Sequence, residues 1–265
     1  MRMRSVGQWL FAATMVGLGV MGMVQGHFAP VWKPVPDWAP AREALAYVCS
    51  AISLAAGAGL VWRRTQTYAA RVLWTALLLW FVVFRLPQVV LTPSLGTFWP
   101  AGETAAMIAA AWVLYRWFAL EWDQRYAGFV VGDKGLRVGR ALFGFGLVVF
   151  GMGHFLLLQY TAGMVPNWLP WHVEFACFTG GAFIAAGLAV MTGICGRLAA
   201  TLAAVEIGAF LLLVWVPILA GGSRGAFQWS ETTVNCALLA AAWLVADSYR
   251  GVPWLSGGIG AIPGA

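Results

Sequence analysis

A few side chains in this chain have the type and placement to do chemistry. His27 and His154 each close a Gly-rich apolar stretch, and a neutral imidazole there could hold a carbonyl or a metal, or simply cap a helix end. Glu43, Glu103, Glu174 and Glu231 stand near the starts of apolar runs, where the helix dipole alone would favour them. Arg85 sits inside an apolar run two residues before Pro87, with Gln88 beyond, and a buried guanidinium needs an acid or a polar ligand. Glu43 and Glu103 are the acids nearest to it in sequence organisation. The expected pocket is therefore a polar cluster of His27, Arg42, Glu43, Arg85, Gln88 and Glu103. A second cluster, His154, His172, Glu174, Arg224 and Glu231, is its counterpart, and the first is the favoured site. Glu206, flanked by Val205 and Ile207, is a carboxyl in mid-run. It reads either as a neutral group hydrogen-bonded to Thr192 or Asn235, or as part of a proton path with Asn235.

Other chemistries find no support. Gly17-x-Gly19-x-x-Gly22 has the spacing of a dinucleotide fingerprint, but no strand precedes it. With Gly26 it reads as a small-residue packing face. The cysteines Cys49, Cys177, Cys195 and Cys236 form no C-x-x-C pair and no zinc spacing, so no metal site is expected. The aromatic residues read as interface anchors and packing, not as a haem box.

The elements that must position these groups follow from composition. Of 265 residues 61% are apolar and 10% charged, with a mean hydropathy of +0.78. Soluble domains carry about 25% charged residues, so the chain reads as an all-α protein of the membrane. Eight apolar runs can span it: Gln8–Phe28, Ala44–Trp62, Ala69–Val90, Thr104–Leu120, Ala141–Tyr160, Phe175–Ile194, Leu198–Leu219 and Thr232–Asp247. They repeat as two sets of four. Gly17 to Phe28 matches Gly144 to Phe155 at an offset of 127. Val35-Pro-Asp-Trp-Ala-Pro40 matches Val165-Pro-Asn-Trp-Leu-Pro170 at an offset of 130, and Pro87 and Trp99 match Pro217 and Trp229 at the same offset. Arg85 has Trp215 as its counterpart, and Glu206 has Ala76. The expected organisation is a first repeat over 1–120, a charged cytoplasmic linker over 121–140, a second repeat over 141–250 and a loosely ordered Gly/Pro-rich tail over 251–265. An even number of spans per repeat makes the repeats parallel.

With the N-terminus in the cytoplasm, twelve basic residues fall inside, among them Arg2, Arg4, Arg63, Arg64 and Arg71, against four outside. The positive charge of +6 is thereby a matter of topology, and nucleic acid is not an expected partner. Both termini are expected in the cytoplasm.

Gly153-His154-Phe155, Val165–Pro170, Ile184-Ala-Ala-Gly-Leu188 and Arg197-Leu-Ala-Ala200 together resemble the DoxX-type bacterial membrane proteins. The first repeat keeps the pattern with Tyr68-Ala-Ala in place of Leu-Ala-Ala. That family unit has four spans, so the chain resembles two units fused, over residues 16 to 246. The resemblance implies a helical bundle in the cytoplasmic (inner) membrane. Some family members are linked to thiosulfate:quinone oxidoreduction or redox complexes, and the resemblance brings no catalytic residue set with it. The leading expectation is a membrane subunit that binds quinone or lipid near the outer face and partners a redox protein. The alternatives are a structural or assembly protein without ligand and a small-molecule or proton-coupled transporter. The bilayer is the one partner the composition requires, and self-association into a homo-oligomer is compatible with it.

Overall fold

The structure, a computed structural model, describes residues 5–257. Arg2, Arg4 and the tail residues 258–265 lie outside the described residues. Among those described the fold is all-α, with a single isolated bridge between Ile194 and Gly257.

Six helices are long and apolar enough to cross a membrane: α1 (Val6–Gln25), α2 (Arg42–Val61), α3 (Gln66–Leu91), α7 (Asp133–Leu156), α9 (His172–Thr192) and α10 (Gly196–Ala220). Two more, α4 (Leu95–Phe118) and α11 (Ala226–Asp247), have similar length, 24 and 22 residues, but are richer in Ala, Thr and polar groups. Their position explains the difference. Every residue of α4 from Ala101 to Tyr115 is buried, and α4 and α11 pack on each other at the centre. A helix surrounded by protein needs small residues for close approach more than it needs a lipid-facing surface. Around this pair, α1 packs on α2 and α11, α7 on α9 and α4, α3 on α4, and α10 on α11. Short helices α5 (Glu121–Tyr126), α6 (Gly128–Val131) and α8 (Leu158–Met164) complete the chain.

Two of the three long helices with an internal proline are locally widened, α4 with Pro100 being regular. Residues Phe81–Arg85 of α3 and Leu211–Trp215 of α10 form a π turn just ahead of Pro87 and Pro217. Proline has no N–H to donate, and its ring crowds the carbonyl four residues back, so an added residue in the turn relieves both.

Helix boundaries differ from expectation at three places. Helix α4 starts at Leu95, where Ser94 and Thr97 form a capping box, and α11 starts at Ala226. Glu103 therefore lies two turns inside its helix and Glu231 more than one turn inside, too deep for the dipole to account for them. Glu43 and Glu174 do stand in first turns. The third difference is the linker. It is folded, with α7 already begun at Asp133, and two of its acids, Asp123 and Asp133, are paired with Arg71 and Arg116. Arg116 meets Asp133 at 2.6 Å, and Trp112 Nε1 donates to Val130 O at 2.7 Å.

The start of the tail is also tied down. Arg197 donates to Val252 O (2.9 Å) and lies over the Trp254 ring, Cys195 N–H donates to Ser256 O (2.8 Å), and Val252 and Ser256 are buried. At the same end Arg140 reaches the Ser248 hydroxyl and carbonyl, and Ser5 donates to Asp247.

Asp123 anchors this end. Its fully buried carboxylate accepts from Arg71 (2.6 Å), the Tyr115 hydroxyl (2.6 Å) and Leu120 N–H (2.9 Å). Burial by itself would raise this carboxyl, but the Tyr115 hydroxyl, the Leu120 amide and the Arg71 guanidinium outweigh it and hold it below its ordinary value. A carboxyl depressed in the folded state stabilises above its unfolded value of about 4, and that gain is lost as pH falls through the lower folded value. Asp123→Asn should cost about 2–3 kcal/mol at pH 7. Thermal unfolding in detergent should show the gap between wild type and variant closing towards pH 3. A gap that is independent of pH would contradict the role given to the charge.

Candidate functional site

The sharpest sequence candidate, Arg85, is fully buried but serves the backbone. Its guanidinium donates to Lys33 O (2.5 Å), Pro34 O (2.5 Å) and Thr104 Oγ1 (3.2 Å), and no ion pair involves it among the described residues. Its direct partners are thus carbonyl groups and a hydroxyl, while the expected acid Glu103 acts on it through space. Nearby, the loop before α2 makes a 3₁₀ turn at Pro30–Trp32 that drives Trp32 into the bundle. Trp32 donates to Ser53 Oγ at 3.1 Å and meets Trp80 edge-on at 5.1 Å, and Trp80 packs on Phe28 and Phe84. These side chains pack against one another where the equivalent positions of the second half line a cavity.

The other expected members of that cluster do not converge. His27 lies beyond the C-cap glycine Gly26 (φ 66°) of α1, exposed, with Nδ1 3.3 Å from Phe28 O. Glu43 is exposed, and Arg42 holds Asp37 (3.1 Å) and the Pro36 carbonyl (2.7 Å). Gln88 comes just after the π turn, its carbonyl accepting from Thr92. Glu174 is exposed at the start of α9, and Arg224 donates to Leu219 O (3.2 Å). Of the first-half cluster only Glu103 reaches open space, and it does so on the side of the second half.

A cavity of about 370 Å³ opens in the second half, between α4, α7, α9, α10 and α11, roofed by α8 and the loop behind it. Such a volume falls in the range of small-molecule sites. Here the loop does not insert. Tyr160, Thr161 and Met164 of α8 with Val165, Pro166 and Leu169 form a lid, where the shorter first-half loop inserts Trp32. The residues 130 positions after Trp80, Phe84 and Arg85 are Phe210, Val214 and Trp215, and all three line open space. Phe178 and Leu213 line it too while remaining exposed on the flank of the bundle, which places an opening towards lipid between α9 and α10.

The polar groups in this apolar, aromatic chamber come from six helices, with Tyr160 and Thr161 on α8 and Thr179, which donates to Phe175 O, on α9. Glu103 on α4 is 8% exposed. His154 lies within α7, one turn after Phe150, and its Nδ1 is 2.9 Å from Phe150 O. A carbonyl can only accept, so Nδ1 carries the proton and Nε2 of the neutral ring is an acceptor. The ring packs edge-on against Phe183 and stacks on Phe210. Glu206 on α10 and Asn235 on α11 each have a buried oxygen, Oε1 and Oδ1, with no hydrogen-bond partner. Thr192, the other expected partner of Glu206, donates instead to Leu188 O of its own helix. Glu231, one turn before Asn235, completes the set. Among the described residues no Lys or Arg lines the cavity. Among the described residues no group of three or more His, Cys, Asp or Glu could hold a metal, and the cysteines are free.

The sequence points to Glu103, His154, Glu206 and Asn235 individually. It carries no signal that they share one chamber, nor that Trp99, Phe183, Phe210 and Trp215 form its walls.

No family model matches this chain, and neither a curated protein nor a solved structure matches it. Its function is therefore read from the cavity.

Proposed function

We propose that this is a DoxX-like protein of a bacterial cytoplasmic membrane, with eight spans in two parallel repeats. In this reading the second repeat binds a lipid-soluble small molecule that donates hydrogen bonds.

Several observations support the architecture. The left-handed residues Ala41 and Trp171, the π turns at Phe81–Arg85 and Leu211–Trp215, and the starts of α2 and α9 and of α3 and α10 are all separated by 130 residues. Exchanging the halves maps the packing of α1 on α2 to that of α7 on α9, and α4 on α7 to α11 on α1, with the α4–α11 contact mapping to itself. The basic residues Arg71, Arg116, Arg140 and Arg197 gather where the linker and tail are bound, which favours that end as cytoplasmic. The cavity then lies towards the outer face.

The observation that carries the function is the cavity itself: one repeat is filled by Trp32, Trp80 and Arg85, and the other has been left open around unpartnered acceptors. Each of these two buried oxygens costs stability unless a bound donor satisfies it. The unpartnered oxygens of Glu206 and Asn235 favour a ligand that donates hydrogen bonds.

Solvent extraction of protein purified in mild detergent, followed by mass spectrometry, tests this. About one lipid-soluble molecule per chain is expected from the wild type. Ala209→Trp, which fills the chamber from α10, should lose it with its melting temperature unchanged or higher. Identical extracts from the two proteins, with no stoichiometric molecule in either, would defeat the reading.

A further inference from the structure

We infer that the ligand of this cavity is an organic ammonium: a protonated amine on an apolar, ring-bearing body, whose binding is exchanged for a proton. This rests on the cavity being a ligand site.

The lining is chemically one-sided. Glu103, Glu206 and Glu231 supply three carboxyl groups from three helices, and among the described residues no cationic side chain lines the chamber to neutralise them. Arg85 on α3 acts through space on Glu103, but its N–H groups are committed to Lys33 O, Pro34 O and Thr104 Oγ1, and no basic side chain acts on Glu206 or Glu231 among the described residues. The other titratable groups facing the space are His154, whose N–H is committed to Phe150 O, and Tyr160 on the lid. Among the acids Glu206 Oε1, and beside them Asn235 Oδ1, are buried without donors. An NH₃⁺ group has three donors and no acceptor, and it is the complement of this set. A hydroxyl offers one donor and no charge.

The walls fit the same ligand. Trp99, Phe150, Phe183, Phe210 and Trp215 present ring faces and edges to the chamber, and aromatic faces attract a desolvated cation. The opening between Phe178 and Leu213 admits a molecule partitioned into lipid, as a hydrophobic amine is.

The exchange is a consequence of charge. A carboxylate with no counter-charge at this depth is costly, as is an unpaired ammonium. The entering ammonium therefore pairs with one carboxylate as that carboxyl releases its proton to water, so charge in the chamber is unchanged. Glu206 is the favoured counter-ion, because its Oε1 is buried and unpartnered on the wall beside the opening.

Calorimetric titration of the full chain in mild detergent tests this with 1-naphthylmethylamine and its neutral analogue 1-naphthylmethanol. Buffers of different ionisation enthalpy report the protons released. At pH 8 the amine should bind at least about tenfold more tightly than the alcohol and release about one proton, and its advantage should shrink at pH 5. Glu206→Gln should abolish the advantage and the proton release while leaving the alcohol's affinity in place. Should Glu231→Gln do so instead, the ligand class stands and the counter-ion is reassigned. Equal affinities with no proton released would overturn the ammonium inference and leave the cavity as a site for neutral ligands. Binding of neither probe, or binding unaltered by Ala209→Trp, would overturn both.

Discussion

Arg85→Ala should unfold at a temperature lower than the wild type by of order 10 °C, the largest loss expected from any single polar side chain in this protein. The guanidinium is fully buried, and its removal strands the carbonyls of Lys33 and Pro34 and takes a donor from the Thr104 hydroxyl in one step. Orphaned buried acceptors cost about 1–3 kcal/mol each, and the vacated volume adds a cavity cost, for about 3–5 kcal/mol in sum. Arg85→Met, which refills much of the volume, should recover part of this. Arg85→Lys should recover little, since an ammonium on a shorter stem lacks the planar fork that reaches two adjacent carbonyls. Differential scanning fluorimetry of the purified variants measures all three. Because the Arg85 site is a latch for the loop that carries Trp32, ligand binding in the other half should persist at temperatures where the variant is folded. A variant of full stability that has lost binding would return Arg85 to the role of ligand residue.

The second large effect is expected where α7 meets α9. A Cβ placed on Gly151 would stand 2.5 Å from Gly180 O and 2.6 Å from Ile184 Cγ1. The first of these is backbone and cannot swing aside, so Gly151→Ala must push the helices apart, at a cost of about 2–3 kcal/mol. The same movement separates Phe150 and His154 on α7 from Phe183 on α9, so affinity for any cavity ligand should fall at least about tenfold along with stability. Gly181→Ala is the matched control. It lies on α9 with nothing within 4 Å of the added methyl group, and it should be neutral or stabilising by up to about 1 kcal/mol. Equal behaviour of the two variants in melting and binding would contradict the close approach. The first half uses the same device: a Cβ on Gly19 would lie 2.5 Å from Leu54 N. Gly17, by contrast, faces nothing within 4 Å, and Gly26 serves as a left-handed helix cap, so only part of the glycine pattern is a packing face.

These sites show how far the amino-acid order carries. Composition and run length suffice for an all-helical membrane protein, because a segment of some twenty apolar residues has few other stable fates. Six of the expected runs reappear as helices apolar enough to span, with boundaries within a few residues for α2 and α3 and larger shifts at α7. The π turns of α3 and α10 lie just ahead of Pro87 and Pro217, where the missing donor is local to the chain. Glu206 is visible as an outlier because no neighbour in sequence explains a carboxyl there.

What tertiary structure decided is which polar residues meet. The helix-end acids look alike in sequence, yet Glu43 and Glu174 face outward in first turns while Glu103 and Glu231 lie deeper and line the chamber. His27 and His154 come after matching glycine-rich stretches, yet one ends up in an exposed loop and the other inside a helix against Phe183 and Phe210. The difference lies in whether a loop inserts its tryptophan or stays outside as a lid, and loop insertion depends on the volume left by side chains from other helices. That volume is a sum over residues far apart in the chain, such as Ser53, Trp80 and Arg85 against Phe183, Phe210 and Trp215. No local pattern encodes it, so the order of residues alone does not place the pocket.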